Sequence, residues 1–176
     1  KGVIHTHRSL IAEIRQLAAM QSPKDRPMLI GAPVAHAIGM LGGLLVPLER
    51  GRDVHLTDAW NAGAVLDAML EAKISAGSGA TVFLTSLLDH PAFTPAHAAL
   101  MHWVGLGGAP VPTAVVERAE ALGISVTRSY GSTEHPSITG SDPSAPVERR
   151  KRTDGRALGG VELRIVDEEG REVAPG

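Results

Sequence analysis

The sequence contains no cysteine, which excludes disulfide cross-links, zinc–thiolate centres and a thiol nucleophile. That absence fits a reducing compartment, and a cytoplasmic location is expected. Neither sign of charge dominates. The 17 basic and 19 acidic side chains leave a net charge of −2, which argues against a general nucleic-acid or membrane-surface binder. Long apolar runs are also missing. The longest, residues 37–48, is too short to span a bilayer, and no secretory leader is visible. Its glycines, Gly39, Gly42 and Gly43, suggest a tightly packed helix or a helix start instead. A Gly-x-Ser-x-Gly elbow is absent, which removes the serine-hydrolase arrangement. Aromatic residues are scarce at 3%, and there is no internal repeat.

What is present is a globular composition. Hydrophobic residues make up 43% and charged residues 20% of the 176, as in ordinary folded domains. A chain of this size buries roughly 70% of its unfolded surface. Lys1 is not an initiator methionine, and Ala174-Pro175-Gly176 reads as the middle of a β-turn. The chain is therefore expected to be a piece of a longer protein, whose remainder is its first partner.

Helical and strand-like periods alternate. Residues 6–20 place Leu10, Ile11, Ile14, Leu17 and Ala18 at helical spacing, with Thr6 or Ser9 as cap. Residues 27–31 and 53–57 read as short strands, with a helical run over 38–48 between them. Asn61 caps a helix through Lys73. Residues 80–84 are strand-like and bend into a helix over 85–89. Thr94-Pro95 opens another helix, and residues 103–106 form a strand. Pro112-Thr113 starts a helix that Gly123 stops, and 124–127 is again a strand. This spacing implies the α/β class, a parallel sheet flanked by helices over residues 1–140. Residues 141–154 read as a loop or linker. Residues 155–176 read as a β-hairpin that starts a small β-rich subdomain, because 160–167 alternates and Glu168-Glu169-Gly170 turns the chain.

The chain is organised around Ser129-Tyr130-Gly131-Ser132-Thr133-Glu134-His135-Pro136. Gly131 lets the backbone turn sharply as its strand ends. Ser132 and Thr133 then offer hydroxyls and Glu134 a carboxylate, before Pro136 opposes a helix. Hydroxyl donors beside a hard anionic oxygen suit a nucleotide phosphate and its Mg²⁺; a plain polar turn fits the same spacing. Gly107-Gly108-Ala109-Pro110 also follows a strand. Ligands of open parallel sheets lie beyond the carboxyl ends of the strands, so both turns should emerge at one edge. Two glycines leave room there for a flat group, and a tight strand-to-helix connection accounts for them as well.

Tyr130-Gly131-Ser132-Thr133-Glu134 resembles the Tyr-Gly-x-Thr-Glu motif of the adenylate-forming (AMP-binding) enzymes, a superfamily of acyl-CoA synthetases, luciferases and peptide-synthetase adenylation domains. Four other stretches resemble it in the family's order. Lys1-Gly2-Val3, with Thr6-His7-Arg8, is similar to the end of the phosphate loop. Pro33-Val34-Ala35-His36-Ala37-Ile38-Gly39 is similar to the Pro-x-x-His-x-x-Gly segment, and Gly107-Gly108-Ala109-Pro110 to the Gly-Gly-Ala-Pro turn. Asp154-Gly155-Arg156 onward to Gly170 resembles the stretch before the next motif. The resemblance implies a flavodoxin-like part of the large N-terminal domain. It implies an ATP-dependent, AMP-forming acid–thiol ligase of fatty acid metabolism, with ATP, Mg²⁺, CoA and a small carboxylic acid as its ligands. The alternatives are an adenylation domain that loads a carrier protein and a non-catalytic nucleotide-binding relative acting as an interaction module. The chain alone is not expected to form acyl-adenylate.

Within that resemblance Thr133 binds the α-phosphate, Glu134 holds Mg²⁺ and Tyr130 packs near the adenine, with Ser129, Gly131 and Ser132 completing the nucleotide site. The turn of Gly107, Gly108, Ala109 and Pro110 covers the adenine and part of the acyl pocket. Lys1 adds positive charge near the polyphosphate. The family places His36 at the acyl entrance; a histidine in an apolar segment is more commonly a satisfied core residue. Ala35 and Val82 depart from the usual aromatic and proline, and Ala35 with few aromatics hints at an open aliphatic or alicyclic pocket. Residues 105–110 resemble a dinucleotide fingerprint but carry proline at the last glycine position. His5-x-His7 has metal-like spacing with no carboxylate nearby and reads as a solvated strand end. The basic run Glu148-Arg149-Arg150-Lys151-Arg152 reads as a solvated loop, with contact to ligand phosphates as the lesser reading.

Overall fold

The computed structural model describes residues 2–21 and 25–174. Helix α1 (His7–Met20) opens on a reciprocal cap. The Ser9 N–H donates to Thr6 Oγ1 and the Thr6 N–H to Ser9 Oγ, each at 3.1 Å, which satisfies two donors that the first turn leaves free. After β1 (Met28–Leu29) the chain enters a π-helical segment, Gly39–Leu45, that runs into the single turn α2 (Val46–Glu49). Asn61 Oδ1 accepts the Ala64 N–H at 3.0 Å and caps α3 (Ala62–Ala72).

The strands then assemble in parallel. β2 (Ser75–Ala76) pairs with β1, and β3 (Trp103–Leu106) pairs with β4 (Ser125–Tyr130). Gly79 joins the two pairs: its N–H donates to Gly105 O at 2.9 Å, and its carbonyl accepts the Gly107 N–H at 3.0 Å. Two antiparallel partners, β5 (Thr139–Gly140) and β6 (Arg156–Ala157), extend the sheet beyond β4. Period-two alternation divides β3 between two faces. Val104 and Leu106 join a core with Leu66 and Met69 of α3, Leu84 and Leu87 of α4 (Thr81–Leu88), and Val116 of α6 (Thr113–Ala121), all at most 1% exposed. Truncating one of these leucines to alanine costs about 2–5 kcal/mol. Trp103, Gly105 and, on β4, Thr127 border a cavity with α1 and the π-helical segment. Helix α5 (Pro95–Ala98) is a single turn. Among the described residues no helix is long and apolar enough to cross a membrane.

Several local expectations are corrected. Residues 53–57 form no strand. Residues 81–84 are the first turn of α4, because Gly77 and Gly79, at φ 96° and 119°, turn the chain after β2 and Gly79 itself takes the sheet position. Thr81-Val82-Phe83 looks β-like by composition, yet Leu84, Leu87 and Leu88 fall at helical spacing and are buried. The hairpin is reduced to one bridge, Val166 with Glu172, around Asp167, whose carboxylate accepts the Glu169 and Arg171 N–H groups. Leu163 and Ile165 stay exposed, since no further strand pairs with them among the described residues.

The basic run is not a solvated loop. It forms α7 (Val147–Arg150), and Arg150 and Lys151 are buried. The Arg150 guanidinium binds the Glu120 carboxylate, Val126 O at 2.6 Å and Ala145 O at 2.8 Å. Lys151 Nζ lies between Glu117 at 2.8 Å and Glu148 at 2.6 Å, and these two carboxylates push its pKa up. Burial pushes the Glu120 carboxyl up, but Arg150 and the Val126 N–H bonded to it bring the net value below the usual carboxylate range.

Candidate functional site

β3 and β4 run parallel and end side by side, so the turns that follow them meet. Gly107 is pressed against the neighbouring strand, where a Cβ would stand 2.6 Å from Ser129 Oγ and 2.9 Å from Ser129 O. Gly108 sits in the left-handed region at φ +74°, where glycine has no steric penalty. The second turn starts one residue beyond Tyr130. There the loop folds back so tightly that a Cβ on Gly131 would lie 1.9 Å from Pro136 O. Inside the loop the Ser132 N–H donates to His135 O at 3.0 Å, and the Ile138 N–H closes onto Tyr130 O at 3.1 Å. Thr133 and Glu134 form its exposed tip.

The Glu134 carboxyl is held below its ordinary pKa. Its own backbone N–H is the main cause and the Ser132 hydroxyl the second, against a small opposing effect of desolvation; His5 adds a little. Two contacts from the α1 side fix the loop. His5 Nε2 lies 2.7 Å from Thr133 O, and His135 Nδ1 lies 3.2 Å from Oε1 of the buried Glu13. The pair His5 and His7 is therefore not a strand end: His7 begins α1 and His5 reaches the loop.

These turns open onto a cavity of about 330 Å³ between the sheet and the layer of α1 and the π-helical segment. Gly107, Gly108, Ser129, Gly131, Ser132 and Thr133 border its upper end, and His36 and Ile38 its side. His36 is exposed, and its Nδ1 accepts the Ile38 N–H at 3.2 Å, so it is not a core histidine. Gly39, three residues on, is where the segment crosses its own approach: a Cβ there would stand 2.1 Å from Pro33 O. Ala109, Pro110 and Tyr130 are exposed and stand beside the cavity rather than on its wall. Ala35 is exposed as well. Lys1 lies outside the described residues. A larger cleft, about 420 Å³, sits at the opposite end of β3 and β4 against Phe93, Pro95, Ala98 and Leu122, and borders none of the motif residues.

Sequence reasoning missed Glu13, Arg128 and Ser141. Arg128 borders the cavity, and its guanidinium binds Asp154 at 2.8 Å and Lys151 O at 2.9 Å. The alternation of β4 puts Arg128 on the face opposite Thr127, so no local pattern signals it, and nothing local marks Glu13 as buried. Among the described residues no group of three or more His, Asp or Glu is placed to hold a metal by itself.

A family model described as AMP-binding enzyme matches residues 1–176. The medium-chain fatty-acid–CoA ligase of Escherichia coli K12 is 30% identical over 177 residues, covering 100% of this chain and 31% of that protein. A feruloyl-CoA synthase of Amycolatopsis is 28% identical over 178 residues, covering 100% of this chain and 36% of that protein. The chain thus spans about a third of the length of the curated relatives it matches. Among solved structures, o-succinylbenzoate CoA synthetase (MenE) from Bacillus subtilis in complex with ATP and magnesium superposes with a TM-score of 0.84 at 26% identity, over 99% of this chain and 36% of that one. An ATP-bound RpMatB–BxBclM chimera gives 0.85 at 29% identity, over 100% and 35% of the two chains.

Proposed function

The chain belongs to the AMP-binding enzyme family, and on that premise we propose that it forms the nucleotide- and acyl-binding core of an ATP-dependent acid–thiol ligase. A carboxylate oxygen of the acid attacks the α-phosphorus of ATP and pyrophosphate leaves, giving an acyl-adenylate. A thiol then attacks the acyl carbon, the carbon–oxygen bond to AMP breaks, and the thiol proton is released. The names of the relatives support CoA as the thiol.

The observation that carries this reading is the convergence of both glycine turns on the cavity that His36 borders. Attack at the α-phosphorus builds charge on its oxygens, and a hydroxyl fixed in advance stabilises that charge without reorganising. Thr133 is assigned that role, and the loop that holds it is tied down at Gly131 and at His5. The bare backbone of Gly107 and Gly108, with Ser129 beside it, takes the adenine side; Tyr130 packs at its rim and Lys1 serves the polyphosphate. His36 orients the acid's carboxylate at the cavity side.

Glu134 suits Mg²⁺. It is exposed and kept ionised by two local donors, and Mg²⁺ takes one or two carboxylates together with substrate phosphates and water. Bound there with ATP, the ion would neutralise phosphate charge. Residues 155–176 are taken as the start of a second, β-rich unit. The test is acid-dependent ATP–pyrophosphate exchange by the full-length protein, lost in Thr133→Val. Exchange that needs no acid, or none with any acid, would remove the ligase assignment.

A further inference from the structure

The floor of the cavity is a wall with space on both sides. Met28 and Trp103 line the site cavity, and the same two side chains line a second cleft of about 340 Å³ behind it, together with Ala99 and Leu100. The register of β3 explains why. Residues 107, 105 and 103 share the cavity face, so two glycines leave the upper groove bare before the largest side chain closes it. The indole also leans back along the strand. A Cβ on Gly105 would meet its ring at 3.2 Å. Gly107 and Gly105 are two residues apart, about 7 Å of strand, so the groove between the turn and the ring is short.

We propose that Trp103, backed by Met28, is the stop against which the distal end of the acid's acyl group packs, and that it shuts the rear cleft to substrate. This rests on the acid-activating reading above and narrows its substrate class to acids whose apolar tail ends at the indole. A tail one methylene too long must displace the ring or bend, a discrimination of about tenfold or more. With the ring removed the groove runs on past Ala99 and Leu100. Asp25, Arg26, Ser75 and His102 also line that cleft, so the extension is only partly apolar.

Pyrophosphate release by the full-length protein is measured with straight-chain saturated acids of increasing length. In the unsubstituted protein kcat/KM should fall about tenfold or more at the first acid that overfills the groove. Trp103→Leu, which keeps an apolar side chain, and Met28→Ala should each move that fall to longer acids. A second readout needs no turnover. In a background where every other tryptophan of the full-length protein, Trp60 included, is replaced by phenylalanine, acids long enough to reach the indole should change Trp103 emission and shorter ones should not; this holds even if the Trp103 variant fails to fold. A length profile unchanged in the folded variants, or emission blind to acid length, overturns the stop. If the unsubstituted protein adenylates no straight-chain acid, the stop is overturned, whereas the ligase reading fails only if no acid of any class supports exchange.

Discussion

Gly131→Ala is the sharpest perturbation of the loop that carries Thr133 and Glu134. The Pro136 carbonyl oxygen stands 1.9 Å from the place of the added Cβ, and side-chain carbons do not approach such an atom within 3.0 Å. The return limb must therefore move by at least 1.1 Å. What stands in the way is backbone, not the end of a flexible side chain. Gly131 cannot retreat, because its neighbour Tyr130 is paired through Ile138 and the β5 register. The shift passes to Thr133 and Glu134, two and three residues on. Misplacing a reacting group by about 1 Å costs on the order of 10²-fold in rate. The fold loses little: one exposed hydrogen bond, from Ser132 N–H to His135 O, is worth about 1 kcal/mol, a few degrees in thermal midpoint. Acid-dependent ATP–pyrophosphate exchange and thermal denaturation of the full-length variant measure the two effects separately. Exchange within about threefold of the unsubstituted protein would refute the coupling of loop geometry to chemistry, given the about 100-fold loss expected.

Thr133→Val keeps the shape and removes the hydroxyl, and should lower kcat by about 10²–10³ with no rescue by added Mg²⁺. Glu134→Gln keeps an oxygen but loses its charge, so part of its defect should be recovered at high Mg²⁺; identical Mg²⁺ responses in the two variants would contradict the assignment. His36→Ala removes an exposed ring and should shift stability by no more than about 0.5 kcal/mol while slowing adenylation, as a melt and an exchange assay together will show. Glu120→Gln leaves Arg150 buried without its carboxylate, at a cost of about 3–5 kcal/mol at neutral pH. Because the folded-state pKa of Glu120 is lowered, its contribution is complete above the unfolded value, about 4.3. It is lost as pH falls from there through the folded value. Denaturant melts between neutral and acid pH should therefore show the gap between the two proteins closing at low pH.

The parts of the fold legible in the sequence are those that neighbours along the chain decide. The Thr6 cap, the Asn61 cap and the stop at Gly123 each depend on residues within four positions, and α1, α3 and α6 form where these place them. β3 is legible for the same reason, as an apolar run ending at two glycines. The helix at 81–88 is not, because β-rich composition competes with a turn set by two upstream glycines at positive φ. Nor is α7, whose buried charges depend on Glu117 and Glu120, some 30 positions away. In the site, the meeting of the two turns follows from parallel strands ending at one edge. The tie from His5 to Thr133 spans 128 positions, and no local pattern encodes it.

The bridge that Gly79 makes between the two strand pairs has a consequence for hydrogen exchange. Gly107 lies at the ligand edge, yet its amide proton already bonds Gly79 O at 3.0 Å, inside the sheet. An occupant of the turn can rest on the bare α-carbon of Gly107 but cannot draw on that proton. Its exchange with deuterated solvent should be slow before any nucleotide arrives and remain slow afterwards, governed by opening of the sheet rather than by occupancy. It can therefore serve as the internal clock against which the exchange of the loop amides at 132–135 is read.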